Sequence, residues 1–221
     1  MQDSRTLALV LKRTNYQEAD RILHLLTPDG KVSAIAKGVR KEKSKLASGV
    51  EMFCLSELTL HFGKSDFAVI TSAKPKEFYK NILTDFTRLE VASSLIKTAT
   101  KFEAESPEYF SLLVQALKAI NSGAELLLVQ TWYYFNLARI NGEQVNLSLD
   151  VDGKDLIAGE NYTWAPYEMA LKKNSTGKIS TNEIKMMRLI LSADLELILR
   201  VKDTKICIEE LLFVSKSLNQ L

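Results

Sequence analysis

Residues 8–55 read ALVLKRTNYQEADRILHLLTPDGKVSAIAKGVRKEKSKLASGVEMFCL, and this stretch decides the fold of the first part of the chain. Leucine recurs at every second position in Leu7, Leu9 and Leu11, which is the period of a β-strand. A second segment, residues 21–27, runs into Thr27-Pro28-Asp29-Gly30, where proline and glycine favour a turn. Alternation resumes at residues 32–36, so the stretch predicts three successive strands.

Two more strands are predicted after a longer polar insertion at about residues 38–52. They cover residues 57–62 and the segment that begins at Phe67, with a Gly63-Lys64-Ser65-Asp66 turn between them. Five short strands with one longer insertion between the third and the fourth are typical of an OB-fold, a five-stranded Greek-key barrel. A small open sheet also fits the alternation. We assign residues 1–79 to an OB-fold domain.

The remainder of the chain, residues 80–221, has the period of helices rather than strands. A break at about residues 143–178 contains Asp152-Gly153, a dipeptide that favours a hairpin turn. The sequence therefore predicts a mainly α-helical domain with a small β-hairpin insertion, and an α+β fold class for the whole chain. The predicted helices cover residues 83–96, 107–120, 124–141, 180–191 and about 204–218, the second of them with Ser106 as its N-cap.

The composition and the charge distribution exclude several classes of protein. With 221 residues, 46% of them hydrophobic and 25% charged, the chain is neither a disordered nor a coiled-coil protein. It has no run of 18 apolar residues, and its N-terminus lacks the basic-then-apolar order of a signal peptide. We therefore expect a cytoplasmic protein that does not enter a membrane.

Positive charge is concentrated in the first third of the chain. Residues 1–80 have 14 Lys or Arg and nine Asp or Glu, a net charge of +5, whereas the rest has a net charge of −3. This asymmetry is typical of a module that binds a polyanion, although an ordinary solvated surface can show it as well.

One cluster of basic residues stands out within this region. Such a cluster favours binding of a nucleic acid, because cations that neutralise its phosphates release condensed counterions. A solvated surface loop is the alternative interpretation. The five clustered candidates are Lys37, Arg40, Lys41, Lys43 and Lys45, with Lys12, Arg13 and Arg21 as weaker candidates for the same face and Tyr16 as a candidate for base stacking.

The motifs of residues 8–55 resemble the N-terminal domain of the RecO family, the bacterial mediators of recombinational repair. In that family a strand ending in a basic residue precedes a Tyr-x-Glu-x-Asp-like loop, Thr-Pro-x-x-Gly, Ala-Lys-Gly-x-Arg and a basic Lys-Ser-x-Leu segment. The matching elements here are Lys12-Arg13, Tyr16 to Asp20, Thr27 to Gly30, Ala36 to Arg40 and Lys43 to Leu46. The helical remainder is similar to the family in outline.

The resemblance implies a DNA-binding repair mediator, located in the cytoplasm in association with the nucleoid. Such a protein would bind single- and double-stranded DNA and anneal single strands. With RecR, it would assist the loading of RecA onto DNA coated with single-strand DNA-binding protein. Family members also bind the C-terminal tail of single-strand DNA-binding protein in the helical domain. Arg139, Lys185 and Arg188 are candidates for the basic rim of that site because of their charge on predicted helices.

Many members of the family have a four-cysteine zinc site in the helical domain, but this chain lacks the ligands. Residues 146–176 contain neither Cys nor His, and a structural zinc site needs four such ligands at short spacing. We therefore expect no metal and no other cofactor. Apolar packing of Tyr162, Trp164 and Tyr167 would hold the hairpin instead.

No motif of a known catalytic site is present, so the protein is not expected to be an enzyme. Cys54 and Cys207 are interpreted as small hydrophobic residues rather than reactive thiols. Two other functions stay open: an OB-fold protein that binds RNA, and an interaction scaffold that has lost nucleic-acid binding.

Overall fold

The computed structural model of the protein describes residues 2–102, 107–201 and 207–220. The chain forms two compact units, Met1–Ser122 and Gly123–Leu221.

The first unit is built on a closed β-barrel. Its strand order is β1-β2-β3-β5-β4, with β4 paired back to β1. Neighbouring strands are antiparallel except for the short parallel pair of β3 and β5. This confirms the predicted five-stranded OB-fold barrel, and the open-sheet alternative is wrong because each of the five strands pairs with two neighbours, which leaves no edge strand. The strands are β1 (Gln2–Tyr16), β2 (Asp20–Thr27), β3 (Gly30–Ala36), β4 (Cys54–Phe62) and β5 (Ala68–Phe78).

Alternate residues of each strand fill the barrel interior, as the period of a strand requires. Leu23 and Leu25 of β2 are fully buried there, while His24 between them faces outwards. A 3-10 helix, Ala47–Val50, packs against β4 and β5. At Gly49 a Cβ would lie 2.7 Å from the carbonyl carbon of Ala73, so this close approach requires glycine.

Three helices complete the first unit: α1 (Lys80–Leu83), α2 (Phe86–Lys101) and α3 (Pro107–Ser122). The Asp85 carboxylate caps α2 by accepting a hydrogen bond from the Arg88 backbone N–H. Helix α2 contacts β1 and α3 contacts β2, so these helices belong to the same compact unit as the barrel. The boundary drawn at residue 79 marks the end of β5 and the start of the helices.

The second unit is centred on a helix that is buried nearly all round. In α4, residues 129–138 are all buried, and this helix packs against α5 and α7. The start of the last helix, predicted near residue 204, lies outside the described residues, as does Ser106, the predicted N-cap of α3. The elements are α4 (Leu126–Ile140), β6 (Asn146–Asp150), β7 (Tyr162–Ala165), β8 (Ala170–Lys173), α5 (Thr181–Ser192), α6 (Leu195–Ile198) and α7 (Ile208–Leu218).

The insertion forms a three-stranded sheet rather than a single hairpin around Asp152-Gly153. Its order is β6-β8-β7, and the antiparallel hairpin is formed by β7 and β8. The Asp150 carboxylate accepts hydrogen bonds from the backbone N–H groups of Asp152 and Lys154, which turns the chain tightly after β6. Consequently only an isolated bridge, Leu149 with Asp155, forms across that turn.

Two of the three aromatic residues expected to hold the insertion do so. Tyr162 and Trp164 are buried, and the Trp164 indole N–H donates to the Ser217 hydroxyl at 2.9 Å. Tyr167 is 99% exposed, so its predicted packing role is wrong. The strand alternation that buries Tyr162 and Trp164 ends at Ala165, which leaves Tyr167 in the β7–β8 turn.

Candidate nucleic-acid interface

A basic segment, defined here as residues 37–46, follows β3 as a series of turns. Its five cations are exposed, and none of them takes part in an ion pair with another described residue. Their charges are therefore available to an anionic partner. They are Lys37, Arg40, Lys41, Lys43 and Lys45.

The turn between β1 and β2 holds the start of the basic segment in place. The Gly38 N–H donates to the Asp20 carboxylate at 2.7 Å, and the Arg40 N–H donates to the Ala19 carbonyl at 2.8 Å. Gly38 has φ +63°, a conformation that favours glycine. In the sequence, Asp20 is distinguished only as the last residue of the Tyr16 to Asp20 motif. The structure shows that its carboxylate connects two turns of the barrel.

Tyr16 lies directly before the same β1–β2 turn. It is the last residue of β1, pairs with Asp20 across the turn, and has 41% of its surface exposed. An exposed tyrosine ring can stack on an unpaired base. The structure therefore places the predicted stacking residue on the turn that binds the basic segment.

Arg13 and Arg21 are brought together by a residue that the sequence analysis missed. Both form ion pairs with Glu51, which follows the 3-10 helix, and the Arg21 Nη1 to Glu51 Oε1 distance is 3.4 Å. Glu51 therefore offsets part of their positive charge. No local pattern indicates this contact, because the partners are 38 and 30 residues apart in the chain.

Lys12 lies on the opposite face of β1 from Arg13. Arg13 pairs with the core residue Leu23, whereas Lys12 pairs with the outward-facing His24. Successive residues of a strand point to opposite faces. The structure thus separates Lys12 from the two arginines with which it was grouped.

The three basic residues proposed as a partner-tail rim lie on two adjacent helices of the second unit. Arg139 is in the last turn of α4, where its Nε donates to the Asn136 side chain at 3.3 Å. Arg188 of α5 donates to the Leu147 carbonyl at 2.5 Å and so holds β6 against the helix. Lys185 is exposed on α5. Asn136 joins the two helices by donating to the Ile190 carbonyl.

Neither a metal cluster nor a membrane span is found in the described part of the chain. No group of three or more His, Cys, Asp or Glu side chains could hold a metal ion there. Similarly, none of the helices in these ranges is both long enough and apolar enough to cross a bilayer. Burial raises the pKa of the Cys54 thiol, which disfavours the reactive thiolate.

Comparison with known proteins gives consistent matches over most of the chain. The family models described as "Recombination protein O N terminal" and "Recombination protein O C terminal" match residues 1–79 and 83–213. A protein named DNA repair protein RecO from Dehalococcoides mccartyi is 31% identical over 220 residues, which cover 95% of this chain and 86% of the relative. The protein of that name from Desulfitobacterium hafniense is 29% identical over 223 residues, covering 95% and 81%.

Proposed function

Because the chain belongs to the RecO family of DNA repair proteins, we propose that it is a mediator that binds DNA through its basic segment. It binds single and double strands and anneals complementary single strands. With RecR, it assists the loading of RecA onto DNA coated with single-strand DNA-binding protein. The observation that supports this most is the set of five exposed cations on a turn attached to a closed OB-fold barrel.

The proposed binding depends on the phosphate backbone rather than on base sequence. Each cation that neutralises a phosphate releases condensed counterions, so affinity falls as salt rises, with a logarithmic slope of about −0.7 per contact on single strands. Five contacts would give a slope of about −3.5. Tyr16 would add a stacking contact that every base can make.

Annealing in this proposal needs no catalytic chemistry, and the protein is not an enzyme. Pairing of complementary strands is thermodynamically favourable once the repulsion between their phosphates is reduced. A surface with several cations supplies that screening for two strands at a time. RecA enters the reaction indirectly, through the assembly with RecR.

The test is fluorescence-anisotropy binding to a labelled single-stranded DNA over a salt series. The test variant changes all five cations of the basic segment to Ala, and Lys118→Gln on α3 controls for loss of an exposed lysine elsewhere. We expect the test variant to lose both affinity and salt slope, and the control to match wild type. Wild-type protein that shows no salt-sensitive binding at low ionic strength would contradict the proposal. A labelled RNA of the same length tests the alternative of RNA binding.

The partner tail is tested separately. Lys185 is the cleanest position for this test because, unlike Arg188, it forms no hydrogen bond to the sheet among the described residues. A peptide of the acidic tail of single-strand DNA-binding protein should bind at micromolar concentration, and Lys185→Ala should weaken it. Absence of binding by wild type would remove this partner from the proposal.

A further inference from the structure

Strand β1 extends beyond the part of it that pairs with β4. Its register with β4 covers Gln2 to Leu9, whereas its register with β2 continues to Tyr16. Residues 10–16 therefore have β2 on one side and, within the described ranges, no strand on the other. At about 3.3 Å per residue, this open edge of residues 10–16 is about 20 Å long.

The open edge is accessible as well as unpaired. Residues 12–16 are all exposed, although successive side chains of a strand point to opposite faces. Both faces of this part of β1 therefore meet solvent. About half of its backbone N–H and C=O groups point away from β2, as in any antiparallel pair. These groups are donors and acceptors for an added strand.

The conformation of Phe53 ends the pairing of β4 with β1. This residue has φ +58°, a left-handed conformation that is rare for a large side chain, and its carbonyl accepts the Tyr79 N–H at 2.9 Å. The backbone before Cys54 is thereby turned out of the ladder. Residues 51–53 thus leave the edge of β1 open instead of covering it as a continuation of β4.

One acidic side chain of the protein already lies beside the open edge. Leu9 pairs with Leu55, so continuing that register by four residues would set Arg13 opposite Glu51. The two backbones do not pair there, but the Glu51 carboxylate forms an ion pair with Arg13. A carboxylate therefore fits beside β1 where a side chain of an added strand would lie. Because this ion pair is exposed, replacing Glu51 with a carboxylate of a partner costs little free energy.

A small pocket with two cations adjoins the same edge. It has a volume of about 260 Å³ and lies between β1 and helix α2, with Lys12, Met52 and Lys97 in its lining. The ammonium groups of Lys12 and Lys97 form no ion pair with another residue that the structure describes. Nor does any described Asp or Glu line the pocket. The pocket therefore favours an acidic side chain that projects from an added strand.

The charge of the edge selects which strand can be added. Lys12 and Arg13 repel a basic strand, and a second copy of the protein would place its own cations against them. A nucleic-acid strand would neutralise the cations, but it has no peptide groups to pair with the backbone of residues 10–16. An extended acidic peptide satisfies both the cations and the main-chain groups.

We propose that the open edge of β1 binds an extended acidic segment of a partner protein by strand addition. The inference goes beyond the proposed function, because this contact needs no DNA and uses main-chain groups that phosphate binding leaves unpaired. Since Arg13 is also a candidate for phosphate binding, such a partner would compete with DNA for its guanidinium group.

The experiment measures binding of a fluorescein-labelled heptapeptide of alternating Glu and Val, with blocked ends, by anisotropy at low salt. Valine favours the extended conformation, and glutamate supplies the charge. The control peptide has the same sequence with a methyl group on every backbone nitrogen, so it keeps the charge but loses all main-chain donors. The edge variant is Lys12→Gln with Lys97→Gln. Its matched control, Lys118→Gln with Lys172→Gln, removes the same charge from exposed lysines elsewhere.

We expect the unmethylated peptide to bind about tenfold more tightly than the methylated one, since several hydrogen bonds with a net favourable free energy are lost. Affinity for the unmethylated peptide should fall about fivefold in the edge variant, which lacks two ion pairs, and stay unchanged in its control. Amide hydrogen exchange of residues 10–16 should become slower when the unmethylated peptide is bound.

Equal affinity for the two peptides would show that charge alone attracts them and would overturn the proposal. Unchanged peptide binding by the edge variant would also overturn it, because the edge would then not be the site. If the edge variant loses affinity for (dT)8 but not for the peptide, the two lysines bind nucleic acid and the proposal is wrong. The proposed function stands in each case, because it depends on the basic segment.

Discussion

At the scale of single residues, Glu51 controls how much positive charge the barrel offers beside the basic segment. Its carboxylate pairs with both Arg13 and Arg21, so a phosphate that binds these arginines must compete with Glu51. Because exposed ion pairs contribute little to stability, both arginines can exchange Glu51 for a phosphate at a small cost in free energy.

We expect Glu51→Gln to bind single-stranded DNA more tightly than wild type. Two freed guanidinium groups would increase the salt slope by about 1.4, and affinity at low salt would rise severalfold. Anisotropy over a salt series measures both quantities. Glu57→Gln is the control, because Glu57 pairs with Arg5 and Lys76 elsewhere on the barrel. Equal slopes for Glu51→Gln and wild type would show that the two arginines do not contact DNA.

Asp20 provides a second prediction at this scale. Its carboxylate accepts the Gly38 N–H at the start of the basic segment. Asp20→Ala and Asp20→Asn both remove one negative charge, but only Asn keeps an acceptor oxygen. We expect Asp20→Ala to bind DNA about fivefold more weakly than Asp20→Asn, which corresponds to about 1 kcal/mol. Amide hydrogen exchange of residues 37–46 should be faster in the Ala variant. Equal affinity of the two variants would mean that this hydrogen bond does not order the interface.

At the scale of elements, Glu183 joins two helices of the second unit. It completes the capping box of α5 with Ser180, and its Oε1 also accepts the Cys207 N–H at the start of α7. Burial alone would raise the pKa of this carboxyl, but hydrogen bonds from Ser180 and Cys207 outweigh it and hold the pKa below the usual range. The ionised form is therefore the one that stabilises the fold.

We expect Glu183→Gln to lower the free energy of unfolding by about 2 kcal/mol at pH 7, the typical value of a hydrogen-bonded charge. A lowered pKa means that the contribution is present above the unfolded-state value, about 4.3, and is lost as the pH falls through the folded-state pKa. The difference in free energy of unfolding between Glu183→Gln and wild type should thus become smaller below about pH 4. Urea unfolding at several pH values measures this, with the exposed Glu196→Gln as control. If the difference in free energy of unfolding did not change with pH, the ionised Glu183 carboxylate would not be the source of the stabilisation.

At the scale of the whole molecule, the first compact unit extends beyond the strands of the barrel. Helix α2 packs on β1 and α3 packs on β2, with residues such as Leu95 and Ile96 fully or nearly fully buried. The family models divide the chain at residues 79 and 83, which separates the barrel from these helices. The compact unit instead ends at Ser122.

We therefore expect a fragment of residues 1–122 to be a monomer that unfolds cooperatively in urea. A fragment of residues 1–79 would expose the barrel face that α2 and α3 cover, so it should aggregate or unfold at lower urea. Size-exclusion chromatography and circular dichroism compare the two. Equal stability of the fragments would show that the helices are dispensable to the barrel.

The sequence alone determined those features whose signals are local. Strand alternation, the Thr27 to Gly30 turn and the helical period after residue 80 follow from backbone geometry within a few residues. They were sufficient to predict the barrel, the helical remainder and the exposure of the basic segment, because adjacent charges remain in water.

Only the tertiary structure decided which distant side chains meet. It pairs Glu51 with Arg13 and Arg21, and it brings the Asp20 carboxylate to the Gly38 N–H. It also placed β6 parallel to β8, where the sequence indicated a simple hairpin. These contacts depend on the register of strands and on helix packing between segments far apart in the chain. Local periodicity sets the type of each element but not its partner.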